Sequence, residues 1–77
     1  MNTYKAIFEY NNCGIGTWED YDINVDIFID KLIGRRNGQI KKFLEIYQKI
    51  YDPEYKEKKI RIRKYNNLLK GKIHGKS

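Results

Sequence analysis

Two short segments near the N-terminus alternate apolar and polar residues, and a run of turn-forming residues separates them. All even positions of residues 4–10 are apolar, and two of the three odd positions are charged. That period of two is typical of a strand with one buried face. Residues 11–16 are rich in asparagine and glycine, which accept the positive φ that tight turns need. A second alternation over residues 20–25 completes the pattern of a β-hairpin.

The second strand of this hairpin predicts one apolar face and one acidic face. Tyr21, Ile23 and Val25 alternate with two aspartates and an asparagine. Because successive side chains of a strand point to opposite faces, we expect the three apolar residues to face the core.

From Asp26 onward, apolar residues recur at intervals of three and four, which is the period of a helix. Asp26 is the predicted N-cap, since its carboxylate can accept from an unbonded amide of the first turn. Gly34 and Gly38 interrupt the stripe, and a glycine inside a helix costs about 1 kcal/mol relative to alanine. The pattern predicts either a helix to about residue 34 followed by a second helix over 39–51, or one kinked helix across both.

The C-terminal third predicts a basic strand, in which Ile60 and Ile62 alternate with two arginines on the outer face. The asparagine pair at 66–67 is typical of a turn. Residues 68–73 are either a short last strand or the ordered start of a basic tail over about 66–77.

Together these elements predict an α+β fold of order β-β-α(α)-β, in which a small antiparallel sheet carries the helical segment on one face. A chain of 77 residues forms a single domain over residues 1–77. The predicted core consists of Tyr4, Ala6, Phe8, Ile23, Val25, Ile29, Leu32, Ile33, Ile40, Phe43, Leu44, Tyr47, Ile60 and Ile62.

The composition excludes several classes of protein. No apolar run approaches the roughly 20 residues that span a bilayer, and the N-terminus has no signal-peptide pattern, so we expect no membrane partner. A single cysteine forms no internal disulfide, which favours a reducing cytoplasm. Isoleucine, lysine, asparagine and tyrosine make up 38 of the 77 residues, a usage typical of A/T-rich coding that indicates a bacterial host. With one cysteine, one histidine and one serine, we expect no catalytic site, metal, cofactor or small-molecule substrate.

Acidic residues are concentrated in the first 30 positions, which hold six acids and one base. Alternate side chains of a strand lie about 6.6 Å apart, so Asp20 and Asp22 can imitate a row of phosphates. If the third strand lies beside the second, these aspartates instead pair with Arg61 and Arg63. The candidate acidic residues for binding a protein partner are Glu19, Asp20, Asp22, Asp26 and Asp30.

Basic residues dominate the other end, where residues 56–77 hold nine bases and one acid. With Tyr55 and Tyr65 nearby, this charge is suited to phosphates and unpaired bases. The turn over 34–38 adds two guanidiniums that either bind a phosphate or stay solvated. The candidate basic residues, for a protein partner or for nucleic acid, are Arg35, Arg36, Lys59, Arg61, Arg63 and Lys64.

The strand over 4–10, the turn over 13–16 and the strand over 18–25 leading into a helix, in a short basic chain, resemble the small inhibitor proteins of phages and mobile elements. These include anti-CRISPR and host-takeover proteins, and they share no motif that would assign a functional residue. The resemblance implies a non-catalytic inhibitor that binds a nucleic-acid-handling protein complex through its charged surface. The alternative is a small basic nucleic-acid-binding module or regulator that uses the C-terminal strand and tail.

Overall fold

The structure is a computed structural model that describes residues 1–36 and 38–74. Within these residues the strands form a four-stranded antiparallel sheet of order β2-β1-β3-β4, and the side chains of both helices join the core on one of its faces. The predicted α+β class is therefore confirmed. In chain order the elements are β1 (Asn2–Tyr10), β2 (Ile15–Asp22), α1 (Val25–Arg36), β3 (Ile40–Ile50), β4 (Lys56–Ile60) and α2 (Arg63–His74).

The predicted hairpin is formed by β1 and β2, but the bounds and the core face predicted for the second strand are wrong. β2 spans Ile15–Asp22, whereas the alternation covers residues 20–25. Ala6 of β1 lies opposite Trp18 of β2, so the even positions of both strands share the face that the helices cover. Tyr21 and Ile23 are 64% and 67% exposed. The register that pairs the two strands decides which face is buried, and the alternation within β2 alone does not contain it.

Gly16 helps to set this register, because it lies under two aromatic rings of β1. A Cβ atom on Gly16 would lie 2.7 Å from Cε2 of Tyr10 and 2.8 Å from Cε2 of Phe8. The rings occupy the space of the missing side chain, so a glycine is needed opposite Phe8 in the pairing.

Helix α1 is confirmed, and it begins at Val25, close to the predicted start. Its N-cap is Asn24 and not Asp26. Asn24 Oδ1 accepts a hydrogen bond from the backbone N–H of Ile27 at 3.0 Å. Asp26 lies in the first turn, where a negative charge is favoured by the helix dipole. Phe28 is fully buried, and its ring stacks on that of Trp18 at a centroid distance of 5.0 Å.

The second predicted helix, over 39–51, is wrong, and so is the alternative of one kinked helix. Residues 40–50 form β3, which pairs with β1 and skips one residue at Lys41 and another at Leu44. These irregularities are β-bulges, each of which adds one residue to β3 without a partner on β1.

The two bulges explain why a strand showed the spacing of a helix. Ile40, Phe43 and Ile46 are three residues apart, and all three are buried on the helix-covered face. Each bulge adds one residue to the strand period of two. The buried residues of β3 therefore recur every three positions, which is also the spacing of residues i and i+3 on one face of a helix.

The C-terminal elements also differ from their predictions. The third predicted strand covers residues 60–63 and overlaps β4 only at Ile60, because β4 spans Lys56–Ile60 and Arg63 already begins α2. The predicted turn at 66–67 and the predicted short strand over 68–73 are wrong, because these residues lie in α2. Of the predicted basic tail, residues 66–74 are helical and residues 75–77 lie outside the described residues.

Most of the predicted core is buried. Ile23 is exposed, while Leu44 and Tyr47 are half-buried and Val25, Ile60 and Ile62 pack against the edge of the core. The sequence prediction missed four buried hydrophobic residues: Phe28, Ile46, Tyr65 and Leu69.

Candidate nucleic-acid interface

A groove lined by basic and apolar side chains lies where the chain passes from β4 into α2. It has a volume of about 490 Å³. We call it the basic groove, and its lining residues are Leu44, Lys59, Ile60, Arg61, Ile62 and Arg63.

The groove exists because β4 is shorter than the strand beside it. β4 pairs with β3 from Ile50 to Ile46 and then leaves the sheet at Ile60, while β3 continues toward Ile40. Residues 61–62 connect to α2, whose Asn66 side chain meets the β3 backbone at Phe43.

Three predicted basic residues converge on this groove. Lys59, Arg61 and Arg63 all line it and are all exposed. Within the part of the chain that the structure describes, none of the three has an acidic group within ion-pair distance. Guanidinium groups bind phosphate oxygens in a bidentate manner, and half-buried isoleucines offer an apolar surface beneath them.

The other predicted basic residues lie elsewhere. Lys64 forms an ion pair with Asp26 at 3.0 Å. The guanidinium carbon of Arg35 lies 5.5 Å from the ring centroid of Trp18. Arg36 lines a separate cleft of about 460 Å³ with Tyr10, Asn11, Asn12 and Gln39, and its buried Nε has no partner among the described residues. Arg35 and Arg36 therefore contact different surroundings and do not form a joint phosphate site.

The predicted row of phosphate-like carboxylates is wrong. Asp20 and Asp22 lie on the helix-covered face, and Asp22 is only 2% exposed. Lys31 Nζ lies 3.2 Å from Asp22 Oδ2. The two groups form an ion pair, but their geometry is not that of a hydrogen bond. Asp20 is half-buried and accepts a hydrogen bond from the N–H of Tyr21 at 2.8 Å.

Pairing of these aspartates with Arg61 and Arg63 is wrong as well, because β2 and β4 form opposite edges of the sheet. The acids instead form ion pairs with lysines. Glu19 Oε1 lies 2.7 Å from Lys49 Nζ on the face of the sheet that the helices do not cover. Asp30 is exposed on α1. The five candidate acids therefore do not form one surface.

Asp26 links the two helices. Its Oδ1 accepts a hydrogen bond from the Tyr65 hydroxyl at 2.6 Å and another from Lys64 Nζ at 3.0 Å. The Tyr65 hydrogen bond, followed by that of Lys64, lowers the pKa of Asp26 below its ordinary value of 3.8. Burial, together with the Asp26 carboxylate, raises the pKa of the Tyr65 hydroxyl far above its ordinary value.

A second groove lies between the helices beside this contact, and we call it the helix groove. Its volume is about 380 Å³, and its lining residues are Asp26, Ile27, Asp30, Lys64, Tyr65 and Leu68. Ile27 and Leu68 are 37% and 46% exposed.

The tyrosines expected to stack on bases are only partly available. Tyr65 is 4% exposed and belongs to the core. Tyr55 is exposed and lies 5.3 Å, centroid to centroid, from Tyr51. Sequence reasoning missed Tyr51 because it was placed at the end of a helix.

The described residues contain no group of three or more His, Cys, Asp or Glu side chains that could hold a metal ion. Cys13 is exposed in the β1–β2 turn at φ 72°. Over the same residues, neither helix has the length and apolar character needed to cross a membrane.

No protein-family model, no curated protein and no solved structure matches this chain.

Proposed function

We propose that this chain is a small non-catalytic nucleic-acid-binding module that contacts phosphates through the basic groove. The observation that supports this most is the convergence of Lys59, Arg61 and Arg63 on one groove without an acidic partner among the described residues. The four ion-paired lysines of the described chain all lie outside the groove. The groove thus keeps its charge for an external anion.

Binding to a polyanion through these side chains has a thermodynamic signature. Each phosphate contact releases condensed counterions, so the logarithm of affinity falls with the logarithm of salt concentration by about 0.7 to 0.9 per contact. Three groove cations would give a slope of about −2 to −3.

The experiment measures fluorescence anisotropy of a labelled oligonucleotide from about 50 to 200 mM salt. We expect Arg61→Gln with Arg63→Gln to weaken binding about tenfold and to reduce the slope by about 1.5. Arg35→Gln with Arg36→Gln removes the same two charges away from the groove, and it should bind like the wild type. Equal losses in both double variants would mean that net charge, and not the groove, attracts the ligand.

The second candidate function is inhibition of a nucleic-acid-handling protein complex. The sequence resemblance implies this function. The helix groove favours it, because half-exposed Ile27 and Leu68 form an apolar patch with the exposed Asp30 at its side, and protein interfaces combine an apolar core with a polar rim. Here the partner is a protein complex in bacterial defence or host machinery.

Co-purification from the native bacterial host separates the two candidates. If the chain is such an inhibitor, a protein should co-purify with the wild type and be lost with Leu68→Ser combined with Asp30→Asn. The control is Tyr21→Ala, which changes an exposed side chain on the opposite face of the sheet. A partner retained by the helix-groove variant would contradict this candidate.

A further inference from the structure

Two exposed tyrosines lie at the end of β4 that is farthest from the basic groove. Tyr51 and Tyr55 belong to the connection between β3 and β4, and they are 59% and 52% exposed. Their ring centroids are 5.3 Å apart with an interplanar angle of 42°. Two large rings are thus held together at the surface.

The second ring is fixed in place by a hydrogen bond. The Tyr55 hydroxyl donates to Glu57 Oε2 at 2.6 Å. Glu57 is the acid within β4, whose other charged residues are three lysines. The hydrogen bond therefore orients the ring. The Glu57 carboxylate stays negative, and the three lysines of β4 outweigh its charge.

The tyrosine pair, β4 and the basic groove follow one another as a track along one edge of the sheet, with Lys56 and Lys58 on its helix-covered side and Lys59 on its open side. All three lysines of β4 are exposed, and β4 is an edge strand of the sheet. From Tyr55 to Arg61 the chain covers about 20 Å at roughly 3.3 Å per residue. A strand of nucleic acid lying along this edge would meet cations along its backbone and aromatic rings at one end.

We propose that the ligand of the basic groove is single-stranded nucleic acid, which follows β4 and stacks an unpaired base on the pair Tyr51 and Tyr55. This inference rests on the proposed nucleic-acid-binding function. Aromatic side chains bind the flat face of any base, and they do so only where the base is free of its neighbours. A duplex keeps its bases stacked and offers this track its phosphates alone.

The test compares one labelled sequence as a single strand and as a duplex. We expect the single strand to bind more tightly than the duplex at equal salt. Tyr51→Ala with Tyr55→Ala should lose at least about fivefold in affinity for the single strand, with no change in duplex affinity or in the salt slope. Tyr51→Phe keeps the ring and should bind like the wild type.

The matched control is Tyr21→Ala, which removes an equally exposed tyrosine from the other edge strand and should leave binding unchanged. The replaced tyrosines are exposed, and thermal unfolding of each variant confirms that the fold is intact. Equal affinity for single strand and duplex, or wild-type affinity of the tyrosine double variant, would overturn the inference while leaving the proposed function standing. Absence of salt-dependent binding to either form would overturn both.

Discussion

The side-chain amide of Asn66 in α2 hydrogen-bonds both backbone groups of Phe43 in β3. Its Oδ1 accepts from the Phe43 N–H at 2.7 Å, and its Nδ2 donates to the Phe43 carbonyl at 3.3 Å. β4 has left the sheet before this point, since its pairing with β3 stops at Ile46. A carboxamide has the donor and acceptor of a peptide group, so Asn66 satisfies the backbone groups that a longer β4 would have paired.

Replacing Asn66 should therefore destabilise the fold through the backbone of β3. Asn66→Ala leaves a partly buried N–H and carbonyl without their partner, which costs about 1–3 kcal/mol. Asn67→Ala changes the exposed neighbour in the same helix and should alter the unfolding free energy by less than about 0.5 kcal/mol. Urea unfolding of both variants checks this, and equal effects would show that helix propensity and not the Phe43 contact is responsible.

Phe43 itself is 1% exposed at the centre of the core. Phe43→Ala should cost about 3–5 kcal/mol, because it removes a buried ring and leaves a cavity. Leu44→Ala, at the neighbouring half-buried bulge, should cost clearly less. Thermal unfolding of the two variants gives the comparison, and a Phe43→Ala melting temperature equal to that of the wild type would contradict the packing described above.

Replacement of Gly16 and of Gly34 by alanine should change the stability of the fold in opposite directions. A Cβ at Gly16 would meet ring atoms at 2.7 and 2.8 Å, so Gly16→Ala should destabilise by about 1–3 kcal/mol. Gly34 lies inside α1 with nothing within 4 Å of an added Cβ, so Gly34→Ala should stabilise by up to about 1 kcal/mol. The urea midpoint of each variant, compared with that of the wild type, measures both effects. A stabilised Gly16→Ala variant would show that the aromatic rings can move aside at little cost.

The contact between Asp26 and Tyr65 predicts a pH dependence of stability with two limits. The pKa of Asp26 is lowered on folding, so its contribution is present above its ordinary value of 3.8 and is lost as the pH falls below it. The pKa of Tyr65 is raised on folding, so its contribution is present below its ordinary value of 10.0 and is lost as the pH rises above it.

The measurement is the unfolding free energy of wild type and Tyr65→Phe from acidic to alkaline pH. We expect the difference between them to be largest between these limits and to shrink on both sides. A constant difference across the whole range would indicate that Tyr65 stabilises by packing alone.

The sequence predicts the parts of the fold that obey a single period, and it fails where a bulge or a distant partner changes that period. β1 and α1 are predicted correctly from their alternation and stripe, whereas the alternation over residues 20–25 predicts the wrong face of β2. β3 was not, because the bulges at Lys41 and Leu44 give its buried residues a three-residue spacing. α2 was missed because an asparagine pair favours a turn locally, whereas in the fold Asn66 is held by Phe43.

The same distinction applies to the candidate site. The charge pattern is sufficient to include Lys59, Arg61 and Arg63 among the candidate basic residues, and the structure brings these three to one groove. The charge pattern could not place Leu44 in the lining of the same groove, since that contact depends on where β4 leaves β3. The ion pairs of Asp22 and Asp26 could not be predicted from the sequence either, because the packing of the helices determines which lysines lie beside them.

The positions of β2 and β4 at opposite edges of the sheet place acidic side chains at one edge and mostly basic ones at the other, which is a charge dipole within the sheet even though Lys49 and Lys31 pair with Glu19 and Asp22. All charged residues within β2 are acidic, whereas β4 carries three lysines and one glutamate. In the field of a polyanion such a dipole turns the protein so that β4 leads and β2 trails before any contact forms. The orientation raises the encounter rate at low salt, and it fades as the screening length shortens to about 8 Å at physiological ionic strength.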